Sequence, residues 1–169
     1  MSSTSPLHVL LLLFCLLPVK GADVKAMTLC ELLKTPEKFA GQMVSVRASV
    51  DKSYHWLVLF NKDCDGSVML ELRSEIEPKR EFPLEKDEQF EKFDQALFDF
   101  KPGSMELRNR IEADFAGRFD SIFAMKRNRK VRIAKGYGHG LQAKTRLVLH
   151  KVSNVTIVAQ EEVRGDRVP

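Results

Sequence analysis

Six cationic side chains crowd ten consecutive positions: Lys126, Arg127, Arg129, Lys130, Arg132 and Lys135. Cations at this density attract anions, and their pull is salt-dependent. A phosphate-bearing polymer, an anionic glycolipid or a single-stranded nucleic acid would satisfy them. Aromatic groups that can stack on such a ligand are available in Tyr54, Trp56 and Tyr137. The competing reading is a solvated basic hairpin that keeps strand edges apart. His139 lies between glycines in Gly136-Tyr137-Gly138-His139-Gly140. Its charge switches near neutral pH, so it can serve as a ligand or a general base, or sit as a surface histidine in a turn. His55 and His139, joined by Asp51 or Asp63, would be the raw material of a metal-dependent hydrolase, although no strong zinc or two-metal signature accompanies them.

Several chemistries lack their residues. There is no Gly-x-Gly-x-x-Gly, no phosphate-binding loop of the Walker type and no Gly-x-Ser-x-Gly elbow. The acids between Glu75 and Glu91 are spaced like a solvated linker and helix face, not like a converging acid/base pair. Asn154-Val155-Thr156 has the form of a glycosylation sequon and is read as coincidence. No catalytic residue, cofactor or metal is expected, and the ligand-binding expectation rests on the basic segment with Trp56, Tyr137 and His139.

The compartment follows from the N-terminus. Leu7 to Pro18 is nearly all apolar and carries no acid, Lys or Arg, yet is far shorter than the roughly 20 residues that span a bilayer. Small residues follow, so residues 1–21 read as a signal peptide cut near Gly21, before Ala22. Its n-region is atypical in lacking Lys and Arg. Phe14 ahead of Cys15 is too bulky for the usual lipidation site. An exported, periplasmic or secreted chain is expected, with no transmembrane segment after processing. Of three cysteines, Cys30 and Cys64 would remain, and an even pair in an oxidising compartment is most simply a disulfide. Closing a loop of about 35 residues contributes about 3–4 kcal/mol in the chain-entropy account. Two reduced buried thiols are the alternative.

The chain carries a net charge of +4, only mildly basic, and its composition is that of an ordinary globular protein. Residues 22–160 suffice for one domain with a hydrophobic core, and 161–169 read as a frayed charged tail. Thr28 with Glu31 three positions on makes a capping box for a short helix, and Pro36 ends it or starts a second turn. Val44, Val46, Ala48 and Val50 alternate with polar residues in a half-buried strand. His55 to Phe60 is continuously apolar and reads as a strand covered on both faces. Val68, Leu70 and Leu72 mark a third strand. Phe90, Phe93 and Leu97 give the stripe of a helix over 85–98, with acids at its N-terminus. Ile111 to Phe119 alternates again, with Gly117 at a bend. Arg146 to Val158 is a last strand, or two halves broken near Ser153-Asn154. The order helix-β-β-β-helix-β-β is that of an OB-fold-like, five-stranded, partly open β-barrel, mainly β with helices. In that architecture the loop joining the last two strands helps frame the ligand face, and the basic segment falls in it.

Cys30-Glu31-Leu32-Leu33, Pro36-Glu37, Gly41, Val44-x-Val46-x-Ala48, Cys64 and the Gly-His stretch ahead of Arg146-Leu147-Val148-Leu149 resemble a group of exported bacterial proteins with an OB-like fold. That group is loosely related to the tRNA-anti-like nucleic-acid-binding OB superfamily. The resemblance implies the barrel and export, and it implies no activity. The expected function is therefore an exported binding module for a polyanion or an envelope component. A structural or protein-interaction module of the cell envelope is the alternative from another class.

Overall fold

The computed structural model describes residues 24–52, 56–72, 82–104, 106–125, 136–138, 140 and 142–159. The chain starts with β1 (Lys25–Thr28), then α1 (Leu29–Lys34), α2 (Pro36–Phe39) and the long β2 (Met43–Lys52). Thr28 caps α1: its hydroxyl accepts from the Glu31 amide at 3.1 Å, and the Glu31 carboxylate accepts from the Thr28 amide at 2.9 Å. This is the capping box expected from the sequence, and Pro36 occupies the first turn of α2, where its missing N–H costs nothing.

β3 (Leu57–Phe60) and β4 (Ser67–Glu71) form a hairpin, α3 (Glu88–Leu97) follows, and β5 (Asn109–Ser121), α4 (Ile122–Met125) and β6 (Thr145–Ala159) complete the order. β5 runs antiparallel to β2 from Met43 to Val50, and the opposite edge of β2 pairs first with β1 and then with β3. β4 meets β6 in parallel, and β6 lies antiparallel along β5. The ring β2-β3-β4-β6-β5-β2 therefore closes, in the connection order of an OB-fold, with α3 inserted between the third and fourth barrel strands. Closure goes beyond the partly open barrel expected. Its shortest seam is β4–β6, with Met69, Leu70 and Glu71 facing Arg146, Leu147 and Val148.

The inward residues are those the alternation named: Val44, Val46, Ala48 and Val50 on β2, and Ile111, Ala113, Phe115 and Phe119 on β5. α3 plugs one end of the barrel with Phe90, Phe93, Ala96 and Leu97, and Phe93 meets Phe115 edge-on at 5.5 Å. At Gly117 the strands approach so closely that a Cβ would lie 2.2 Å from the Val148 carbonyl oxygen. Beside it β6 bulges at His150, and bulges again near Asn154, whose φ of 51° is left-handed. So β6 is one strand with two irregularities, not two separate halves.

Beyond the seam the edge of β6 is covered by the segment entering α3. Glu85 N–H donates to the His150 carbonyl at 2.7 Å, the Gln89 side chain accepts from Val155 N–H at 3.0 Å, and Lys92 donates to the Val155 carbonyl at 2.7 Å. These bonds satisfy backbone groups that an open edge would leave to other chains. The disulfide Cys30–Cys64 ties α1 to the β3–β4 turn, with Cα atoms 5.2 Å apart.

Candidate ligand face on the barrel exterior

β3 and β4 alternate, so residues between the inward Leu57, Leu59, Val68 and Leu70 point outward. Val58 and Met69 are cross-strand neighbours on that outer face, both half-buried, with Trp56 just before β3. The expectation that β3 is covered on both faces therefore needs correcting: Leu59 is in the core, while Val58 and Phe60 line surface depressions. A continuous apolar run carries no alternation, so it could not show which of its faces is open.

A cavity of about 360 Å³ sits over Trp56, Val58 and Met69. Leu33 and Pro36 close it from the helical side, Phe123 of α4 from another, and residues 142–145 from the approach to β6. Gly138 packs directly against Trp56. A Cβ there would lie 2.7 Å from the indole and 3.0 Å from the Met69 sulfur, and φ is +74°, so both space and backbone require glycine. Residues 137 and 143 exchange backbone hydrogen bonds in both directions, at 2.7 and 3.3 Å, and Ile122 N–H donates to the Lys144 carbonyl at 3.1 Å. Ala143 and Lys144 thus hold Tyr137 and Ile122, described residues on either side of positions 126–135, at the rim of the cavity.

Beneath this segment a chain of charges crosses three strands. Arg118 pairs with Asp120 at 3.1 Å on β5, Asp120 with Arg146 at 2.8 Å, and Arg146 with Glu71 of β4 at 2.8 Å. All four side chains are nearly buried, and charges so placed require partners. The Tyr137 ring lies over the Arg146 guanidinium at 4.6 Å. Burial pushes the Tyr137 phenol up to about 12, and the Asp120 carboxylate adds to the shift. Its hydroxyl is buried with no hydrogen-bond partner among the described residues. Burial works against the charge of Arg146, but Asp120 and Glu71 outweigh it and raise its pKa.

Of the residues singled out from the sequence, Trp56 and Tyr137 are brought to one region, linked through Gly138. Lys126, Arg127, Arg129, Lys130, Arg132, Lys135 and His139 lie outside the described residues, as do Tyr54 and His55. Asp51 and Asp63 line two different depressions on the β2–β5 side. Two arginines there are paired with acids, Arg110 with Glu112 at 3.0 Å and Arg47 with Asp114 at 3.4 Å, and Lys52 and Lys62 line the same depressions. Among the described residues no group of three His, Cys, Asp or Glu is placed to hold a metal, and no helix is long and apolar enough to cross a membrane.

Sequence reasoning missed Val58, Met69, Phe123 and Lys144. Outward alternation from Leu59 would have flagged Val58, and Val68/Leu70 likewise Met69. Nothing local marks Phe123 or Lys144, which reach the cavity through tertiary placement. Comparison with known protein families, with curated proteins and with solved structures finds no match to this chain.

Proposed function

We propose that the protein is an exported binding module that takes an anionic ligand on the outer β3–β4 face, with the segment Lys126–Lys135 supplying the charge. One observation carries this reading: Ala143 and Lys144, at the cavity rim, hold Tyr137 on one side of that segment and Ile122 on the other. Tyr137 and Ile122, on either side of that segment, are both bonded to the cavity rim that also holds Trp56, whereas on the β2–β5 face Arg47 and Arg110 are each paired with an acid. Export is supported by the apolar N-terminal run and by a disulfide that would be unusual in a reducing cytosol. The resemblance to exported OB-like proteins agrees with both.

The test is filter binding of a polyphosphate or heparin probe across a salt series. Affinity should fall linearly on a log–log scale as salt rises, and joint neutralisation of Arg127, Arg129, Lys130 and Arg132 should abolish it. Binding indifferent to salt, or intact in the neutralised variant, would overturn the proposal.

A further inference from the structure

We propose that the cavity beside Trp56 seats the alkyl chain of a small amphiphilic anion, a single-chain carboxylate or phosphate monoester, with its head at Lys144. This rests on the reading that the β3–β4 face takes an anion, and names which kind.

Carbon makes up somewhat more than half of the cavity lining and is concentrated on one side. Trp56, Val58, Met69, Leu33 and Pro36 are half-buried, and Phe123 is 38% exposed, a large aromatic left partly in water at the cavity edge. Polar groups that could read a sugar or a base are mostly already engaged. Both backbone groups of Ala143 bond Tyr137, the Lys144 carbonyl accepts from Ile122, and the Thr145 hydroxyl donates to the Ser67 carbonyl at 3.4 Å. What remains is the Lys144 ammonium, the Gln142 amide and the Ser67 hydroxyl, on exposed residues at the rim, together with the indole N–H of the half-buried Trp56. Lys144 has no ion-pair partner among the described residues, unlike Arg47, Arg110, Arg118 and Arg146. An apolar floor with one uncommitted cation at its mouth complements a chain ending in a negative head. The volume, about 360 Å³, lies in the range that holds small ligands, roughly 300–1,000 Å³.

The chain contains one tryptophan, so intrinsic indole emission reports on this cavity alone. The full chain is titrated with octyl, decyl and dodecyl phosphate below micelle formation, with inorganic phosphate, with dodecyl maltoside, with a thymidine oligonucleotide and with phosphatidylglycerol vesicles. A saturable emission change is expected with dodecyl phosphate. It should weaken about fourfold per methylene removed, the factor that follows from about 0.8 kcal/mol per buried methylene. Inorganic phosphate should leave the emission unchanged, and dodecyl maltoside should bind at least several-fold more weakly. Lys144→Glu should weaken dodecyl phosphate about tenfold. Val58→Phe, which fills the cavity with another apolar group and tests the site without threatening the core, should abolish the response. Affinity independent of chain length, an equal response to inorganic phosphate or the oligonucleotide, response to vesicles alone, or full binding by Val58→Phe would each overturn the proposal. Salt-dependent polyanion binding that persists without any alkyl phosphate response would remove this inference and leave the broader reading standing. A chain-length series that holds without polyanion binding would do the reverse.

Discussion

Gly117 and Tyr137 make the sharpest demands of any single residues. A methyl at Gly117 would meet the Val148 carbonyl oxygen at 2.2 Å, a Cβ against backbone, where no rotamer change relieves the clash. Gly117→Ala should therefore cost about 3 kcal/mol or more, at the upper end of overpacking effects, read as a lower urea midpoint. Tyr137 carries a buried hydroxyl without a partner, so Tyr137→Phe should leave stability unchanged or raise it by about 1 kcal/mol, where most core changes lower it. The phenol also sets a pH dependence. Its folded value, about 12, lies above the ordinary tyrosine value near 10. The neutral form's contribution is complete below pH 10 and is lost as pH rises through 12, because the unfolded chain ionises first. Absorbance titration of a Tyr54→Phe variant should show the remaining tyrosine ionising near pH 12; ionisation near 10 contradicts the described burial. At this scale the sequence marked Gly117 as a place where a strand could bend and Tyr137 as a neighbour of the basic segment along the chain; at Gly117 the structure has a close approach of two strands beside a bulge. The sequence could not show the charges between them. Arg118, Asp120, Glu71 and Arg146 occupy outward positions of their strands, which read as solvated until the registers of β4, β5 and β6 set them side by side.

Among the elements, α3 depends on a cap that the sequence reading did not single out, since it took Asp87 only as one of the acids suiting the helix N-terminus. Asp87 accepts from Phe90 N–H at 3.0 Å, so the helix starts at Glu88, three residues later than its acidic run implied. Asp87→Ala should cost about 1 kcal/mol in thermal or urea unfolding, and a change within error would show that the cap is redundant. The longer elements were legible because they alternate: β2 and β5 each bury every second residue along most of their length. β1 and α4 were not. Each is four residues long, too short for a period to register, and β1 is largely exposed and held by parallel pairing to β2. The disulfide was legible from the cysteine count and the expected compartment. Intact mass should be two hydrogens below the reduced form, and the double Cys30→Ser, Cys64→Ser variant should lose about 3–4 kcal/mol.

For the molecule as a whole, closure of the barrel turns on its narrowest seam. Only three residue pairs join β4 to β6. Arg146 straddles this seam, bonded to Glu71 on one side and to Asp120 on the other. Removing it leaves two nearly buried carboxylates without their shared cation. Arg146→Met should accordingly cost about 3–5 kcal/mol and accelerate amide exchange at Met69–Glu71 before the β2–β5 ladder. The same seam lies under the segment that carries Tyr137 and borders the Trp56 cavity, so the most vulnerable part of the barrel supports the proposed ligand face. The barrel order was readable because helix and strand signals came in the OB sequence; the cavity was not, since its walls come from α1, α2, β3, β4, α4 and the approach to β6.

Hydrogen exchange measured with and without a saturating anionic probe, either the polyphosphate or dodecyl phosphate, tests the placement of the site most directly. The account predicts new protection at Trp56–Phe60, Ser67–Glu71 and Gln142–Thr145, with α3 unchanged. Protection confined to the Arg47–Arg110 side of β2 and β5, or none under conditions where binding is saturated, would contradict it.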